Sequence, residues 1–307
     1  MKLRHNPSQV LGQSSFKDES IFVIYYVNIL RLHVILNEKK VYDMKDYTIR
    51  FKDCSIYYEM HENKTKPTLV FLHGYTSSLN VFESIIVTFK KDYQLLLIDL
   101  PGHGKSGVSS AVGFKDMPEI MKSILDYQEI SSAYFLGVDV GSLVAQGFGH
   151  IYPEHVNALV SVGSYSIYHD SCKKVSNEHV FSNALLSFKW LFAFKKYLHH
   201  YANIAAITET GLTKFKTSQT QFKRSGLKAY KGLNRFYKWD KPTKHYPIYV
   251  VCGEFEEEVI KDASIQFEQK VPNALLEGFN KSKRVVFLDQ PRLFIEHVQT
   301  FLKSHLK

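Results

Sequence analysis

The sequence predicts the α/β class: a mostly parallel, doubly wound sheet interrupted once by a helical insertion. Three observations predict it. Short continuous apolar runs, of the kind made by strands buried on both faces, alternate with segments whose apolar residues recur at helical spacing. The alternation stops between residues 164 and 246, where lysines and aromatics fall at helical spacing without a buried-strand run. It then resumes at Ile248 and runs to the end of the 307 residues, so the insertion reads as a helical cap on a single core of 44–163 and 247–307.

Residues 1–43 stand apart. Ile21–Leu36 is apolar but broken by Asn28, Arg31 and His33. It falls short of the length a bilayer helix needs, and no small-residue cleavage site follows it. The expectation is that Met44 is the natural start and that the extension is translated upstream sequence. Tyr47–Phe51 and Ser55–Met60 then alternate as two strands, and Glu62-Asn63-Lys64 makes a turn. Thr68–Leu72 is a buried strand, followed by the loop His73-Gly74-Tyr75-Thr76-Ser77-Ser78 and a helix with apolar residues at Val81, Phe82, Ile85, Ile86 and Phe89. Leu95–Ile98 is the next strand, and Gly113–Gln128 the next helix. Tyr134-Phe135-Leu136 leads through Gly137-Val138-Asp139-Val140-Gly141 into a helix over Ser142–Tyr152, and Ala158–Val162 is a strand. After the insertion come a strand at Ile248–Cys252, a helix near Ala263–Gln269, a strand at Val285-Val286-Phe287-Leu288 and a helix over Leu293–His305.

Composition narrows the class. The chain is 45% hydrophobic and 22% charged, ordinary for a globular protein. Cys54, Cys172 and Cys252 are far apart and odd in number, so neither a disulfide framework nor a zinc site is suggested, and a reducing, cytoplasmic setting fits. No cofactor and no metal are expected. The net charge of +9 is concentrated in one place: Ser164–Tyr246 holds fifteen lysines and arginines against four acidic residues. Such a segment can attract anionic substrates or a lipid surface, but the plainer reading is a solvated helical face. Nucleic acid and membrane are not expected as partners; a small molecule is.

The chemistry gathers around Asp139. Glycines on both sides of one polar residue let a chain turn sharply from strand to helix and present that side chain at a helix N-terminus. Here the residue is aspartate. Gly102-His103-Gly104-Lys105-Ser106 is not a phosphate loop, because Asp99 stands where its first glycine belongs.

Leu72-His73-Gly74-Tyr75, Asp99–Ser106, Gly137–Gly141, Tyr152–Val156 before Leu159-Val160, Gly253-Glu254, and Leu288-Asp289-Gln290-Pro291 follow one another at the intervals seen in the α/β-hydrolase superfamily. The chain resembles that superfamily over nearly all of Tyr47–Lys307. The resemblance implies the α/β-hydrolase fold, with Asp139 as nucleophile at the elbow, Tyr75 and Val140 as backbone donors of an oxyanion hole, and His73 and Gly74 as the turn that binds beside it. An elbow aspartate resembles the epoxide hydrolase and haloalkane dehalogenase branch, in which a carboxylate attacks a saturated carbon and a histidine-activated water cleaves the resulting ester. Val140 stands where the dehalogenases place a tryptophan. Six tyrosines of the insertion, Tyr165, Tyr168, Tyr197, Tyr201, Tyr230 and Tyr237, are candidates for the epoxide-polarising pair, without a means of choosing among them.

The same resemblance makes Glu256 the acid of the triad, with Glu254, Glu257 and Glu258 close enough to be confused with it. Anchored on Leu288–Pro291, it puts Arg284 at the histidine position. Arginine stays protonated and cannot take a proton from water. His297, in the last helix, and His305, at the tail, are poorly placed to substitute. The expectation is a degenerate triad of Asp139, Arg284 and Glu256. Two functions follow: a hydrolase of a small, largely apolar substrate acting through Asp139, or a catalytically inactive descendant that binds a small ligand or partner.

Overall fold

The computed structural model describes residues 44–168, 194–230, 239 and 246–306. The expectations for Met1–Asp43, Cys172 and Tyr237 lie outside them. Eight strands form one sheet: β1 (Met44–Phe51), β2 (Cys54–His61), β3 (Thr68–Leu72), β4 (Gln94–Ile98), β5 (Ala133–Val138), β6 (Val156–Val162), β7 (Ile248–Gly253) and β8 (Ala274–Phe279). Their order is β1-β2-β4-β3-β5-β6-β7-β8. β1 and β2 pair antiparallel with each other and β2 with β4, whereas every pairing from β4 to β8 is parallel.

The parallel strands β3, β4, β5 and β7 are buried along their whole length because both faces of the sheet are covered. Val70, Leu72, Leu96, Ile98 and Phe135 face one core with helices α2 (Met117–Tyr127) and α3 (Val140–Ile151). Their neighbours Leu69, Phe71, Leu95, Leu97, Tyr134 and Leu136 face the other, with α1 (Glu83–Phe89) and the last helix, α8 (Pro291–Ser304). Successive residues of a strand point to opposite faces, so a continuous apolar run feeds two cores at once.

Between β6 and β7 the described residues form α4 (Phe194–Ala205), α5 (Glu209–Ser218) and a 3₁₀ segment, Arg224–Tyr230. No strand occurs there among the described residues. This helical segment is fastened to the loops at the carboxyl edge of the sheet. Ser78 Oγ donates to the Ser218 carbonyl at 2.9 Å, and the Gln219 amide donates to Thr76 Oγ1 at 2.7 Å and to the Leu198 carbonyl at 3.1 Å. Gly226 packs so closely on Gly102 that a side chain on either would strike the other's backbone.

One expected element is different. Val285–Leu288 is not a strand: Val286–Asp289 is a single helical turn, α7, between β8 and α8. All four residues are buried in the second core, and a buried apolar run of that length has the same signature in a strand and in a buried turn. The strand that closes the sheet is β8, preceded by α6 (Glu258–Lys270). It is an edge strand with Leu275 exposed, and its Glu277-Gly278 pair interrupts the apolar pattern.

Candidate active site

The parallel registers bring the chemistry together. Leu72 pairs with Ile98 on one side and Gly137 on the other, so the loops leaving β3, β4 and β5 emerge side by side. Val162 of β6 pairs with Val251 of β7, which carries Gly253 and Glu256 to the same edge. Ligands of open α/β sheets bind at this carboxyl edge.

At the elbow, Asp139 has φ 50° and ψ −118°, a strained conformation for a residue with a side chain. Its surroundings hold it there. The Asp139 N–H donates to the Val162 carbonyl at 2.9 Å, and Ser164 Oγ donates to the Asp139 carbonyl at 2.8 Å. Both flanking glycines are required by space: a Cβ on Gly137 would lie 2.5 Å from Ser142 Cα, and one on Gly141 would collide with the Leu72 and His73 carbonyls. A Cβ on Gly74 would lie 3.2 Å from Asp139 Cβ, a tight contact that the elbow would have to accommodate.

The side chain of Asp139 turns toward the two backbone donors. Tyr75 N–H donates to Oδ2 at 3.1 Å, and the backbone N–H of Val140 at the start of α3 lowers the pKa of the carboxyl against the effect of burial. Of the two backbone donors expected to form an oxyanion hole, Tyr75 is therefore taken by the elbow's own carboxylate. The other oxygen, Oδ1, faces Arg284 Nη1 at 3.7 Å, too long for a hydrogen bond.

Arg284 is nine-tenths buried and turned mainly toward the acids after β7. Its Nε lies 3.2 and 3.3 Å from the two Glu256 oxygens, and Nη2 donates to Glu256 Oε1 at 2.9 Å and to Glu257 Oε2 at 2.6 Å. Glu256 is fully buried, and its Oε1 also accepts from the Glu257 N–H at 2.9 Å. Of the neighbouring acids, Glu254 accepts from the Lys281 N–H and Glu258 pairs with Lys261, both away from Arg284. Burial works against the Arg284 charge, but Glu256 and then Asp139 outweigh it and hold its pKa above the ordinary value. Burial raises the pKa of both Asp139 and Glu256, with Arg284 opposing in each case. One fixed cation thus serves three carboxylates.

His73, expected to help bind beside the hole, reaches no solvent. Its Nε2 accepts from the Leu100 N–H at 3.0 Å and its Nδ1 lies 2.8 Å from the Gly74 carbonyl, an arrangement that suits the neutral ring. Burial, reinforced by His103, lowers its pKa to about 3. It braces the turn and is not among the residues that line the cavity beside Asp139. Among the described residues no histidine touches Asp139, Glu256 or Arg284; His297 pairs with Glu277 at 2.7 Å and His305 packs on Phe301. Nor do any His, Cys, Asp or Glu among them group as metal ligands.

A small cavity beside Asp139 is lined by Tyr75, Val138, Tyr201, Ile204, Phe215 and Arg284, among others, with about 10 Å³ open to the centre of a water molecule. That is room for about one water. Of the candidate tyrosines, Tyr197, Tyr201 and Tyr230 surround the Tyr75 ring, and the Tyr75 and Tyr197 hydroxyls hydrogen-bond. Burial and then the Asp139 charge push the Tyr201 pKa up to about 12. Tyr168 lies instead against His150, and Tyr165 gives its carbonyl to Gln146. Tyr201 and Glu257 were not distinguishable in the sequence from the many tyrosines and glutamates around them.

A parallel sheet in this order, a strained elbow between two sterically required glycines, and an acid at the end of β7 are the features of one superfamily, and a sequence profile of the "alpha/beta hydrolase fold" family matches residues 67–194. The chain belongs to the α/β-hydrolase superfamily. It is 22% identical over 266 residues to the "uncharacterized hydrolase YugF" of Bacillus subtilis, a match that spans 81% of this chain and 94% of that protein. It is 34% identical over 107 residues to a pimeloyl-[acyl-carrier protein] methyl ester esterase of Pectobacterium carotovorum, covering 35% of this chain and 40% of the esterase. That match is only a part of the relative's length. Among solved structures, a thermophilic esterase from Thermogutta terrifontis superposes with a TM-score of 0.70 at 12% identity, over 85% of this chain and all of that one, a likeness of fold. No described helix of this α/β-hydrolase is long and apolar enough to cross a membrane.

Proposed function

We propose that this α/β-hydrolase acts on a small, largely apolar molecule with an electrophilic saturated carbon, using Asp139 as nucleophile, and that its triad is degenerate at Arg284. One observation carries the reading: Asp139 rests Oδ2 on the Tyr75 N–H and keeps Oδ1 free of a hydrogen bond at the cavity. A lone pair on Oδ1 forms the bond to carbon while the leaving group departs with its own electron pair, giving an alkyl ester of Asp139. With an epoxide the departing oxygen stays on the substrate and needs a proton. Tyr201, neutral and lining the cavity, is the donor proposed. The helical segment within 164–246 serves as the cap that supplies it.

The second half-reaction lacks its base. Water must attack the ester carbonyl and lose a proton as it does so, and the protonated Arg284 cannot accept that proton, so the ester is expected to persist. Ester cleavage, the activity in the pimeloyl esterase's name, is not adopted for this chain, because the elbow carries no hydroxyl nucleophile and a substrate oxyanion would have to displace the Asp139 carboxylate from the Tyr75 N–H. The alternative, a non-catalytic binding protein, is favoured by the tight hold of Glu256 and Glu257 on Arg284 and by a cavity with room for about one water.

Intact mass after incubation with small alkyl halides and epoxides separates the two, with Asp139→Asn in parallel. The nucleophile reading expects a stable adduct on the wild type alone. No adduct with any of these electrophiles leaves the binding-protein reading.

A further inference from the structure

The lysines of the helical segment differ from those of the rest of the chain in a way the sequence does not reveal. Elsewhere among the described residues, six lysines are matched to carboxylates: Lys45 to Glu62, Lys52 to Asp116, Lys105 to Glu59, Lys122 to Asp126, Lys261 to Glu258 and Lys303 to Asp92. Residues 194–230 carry Lys195, Lys196, Lys214, Lys216, Lys223, Arg224 and Lys228 against the single acid Glu209. All seven cations are exposed, and among the described residues none of the seven has a carboxylate partner. The remaining described residues hold seventeen lysines and arginines against twenty-two acids, so the charge of the molecule is polarised toward this segment.

These cations share a connected surface. The Arg224 guanidinium lies 5.4 Å from the centre of the Phe194 ring, which joins the 3₁₀ segment to the first turn of α4, where Lys195 and Lys196 stand. Gln219, just after α5, bonds the Leu198 carbonyl of α4 and so brings the end carrying Lys214 and Lys216 alongside. The buried residues of α4, Tyr197, Ala202 and Ala205, leave its lysines and His199 and His200 outward. Ile207, 44% exposed, adds an apolar contact at the junction of α4 and α5.

We propose that this face docks the protein on an anionic lipid surface. Docking is favoured over a merely solvated face by the gathering of six lysines and Arg224 on one segment that holds a single acid. Lysine's compact, mobile charge suits diffuse attraction to headgroups, whereas protein interfaces deplete lysine and favour arginine. Nucleic acid fits less well, since Tyr197, Phe215 and Phe222, which would have to stack on bases, are buried. Docking would bring the cavity beside Asp139 to the bilayer, because α4 also supplies Tyr201 and Ile204 to it. The proposal stands whether or not Asp139 is a nucleophile.

The test is co-sedimentation of the full chain with vesicles of phosphatidylcholine alone and of phosphatidylcholine mixed with phosphatidylglycerol. Binding to the anionic vesicles alone, falling as salt is added, is expected. Replacing Lys195, Lys196 and Lys223 with glutamine should weaken it by roughly 100-fold, at about fivefold per lysine. The control Lys122→Gln with Lys261→Gln removes two matched lysines and should leave binding near the wild-type value. Equal binding to neutral vesicles, or a triple variant that binds as the wild type does, overturns the proposal. Retention on heparin or RNA without vesicle binding overturns it in favour of a different polyanion.

Discussion

The Tyr75 N–H donates to Oδ2 of Asp139 at 3.1 Å, so the elbow side chain takes a donor that the α/β-hydrolase resemblance assigns to a substrate oxyanion. A carboxylate in that position blocks ester cleavage by a serine-type route, and Arg284 removes the base such a route needs. Asp139→Ser combined with Arg284→His should therefore create esterase activity that neither single variant has. Glu256 is already buried beside position 284 and can orient an imidazole there. The gain expected from a positioned base is about 10²- to 10⁴-fold over the Asp139→Ser variant, read with an activated acetate ester. Equal rates in the single and double variants would mean that position 284 cannot place a ring against position 139.

Arg284 should also be the largest single electrostatic contributor to stability. Arg284→Met leaves Glu256, fully buried, and Asp139, one-fifth exposed, without their counter-ion. Such a loss costs about 3–5 kcal/mol near neutral pH. The sign of its pH dependence follows from burial, which already raises both carboxyl pKa values in the wild type. The folded variant then binds protons at a pH where the unfolded chain does not, so stability recovers as pH falls through the folded values and is fully regained below the unfolded ones. Urea unfolding at neutral and mildly acid pH should show the gap to wild type narrowing on acidification. A gap of constant size would contradict the assignment.

How much of this was legible depended on whether a signal was local. The buried strands β3, β4 and β5 show as apolar runs, and the elbow shows because two glycines must flank a side chain at positive φ. Arg284 could be placed because Leu288–Pro291 fixes the register a few residues away. Two features were hidden by their dependence on distant chain. The occupied Tyr75 donor depends on Tyr75 and Asp139 meeting across β3 and β5, and no spacing encodes which way a carboxylate turns. Val285–Leu288 is apolar for burial under α8, which the eye reads as a strand, while β8 is an edge whose exposed Leu275 weakens its pattern.

The glycine requirement gives a steric prediction with an internal control. Gly137→Ala puts a Cβ 2.5 Å from Ser142 Cα, a backbone atom of α3 that cannot rotate away. A destabilisation of about 3 kcal/mol is expected from overpacking of this kind, with soluble yield falling accordingly. Gly278→Ala in β8 meets nothing within 4 Å and should stay within about 0.5 kcal/mol of wild type. Thermal unfolding of the two variants side by side is sufficient. Similar midpoints would mean that the β5–α3 turn can open at little cost.

The loops that carry Tyr75 also set the acid response. His73 and His103 are fully buried and neutral, and burial lowers their pKa values to about 3 and about 4. The unfolded chain takes up protons at both positions below about pH 6.5, so the stability they contribute is present above that pH and is lost as pH falls toward their folded values. Asp99 works the other way. Burial raises its pKa from 3.8 to about 6, so between those values the folded state holds a proton the unfolded chain has lost, and acidification stabilises it. At 1.36 kcal/mol per pKa unit, its opposing contribution is about 3 kcal/mol. Asp99→Asn removes that compensation while keeping the side chain's size. Its unfolding midpoint should fall more steeply than the wild type's between pH 6 and pH 4, whatever its stability at neutral pH. A shallower fall would reverse the sign given to Asp99 and make the histidines alone responsible for the acid limit.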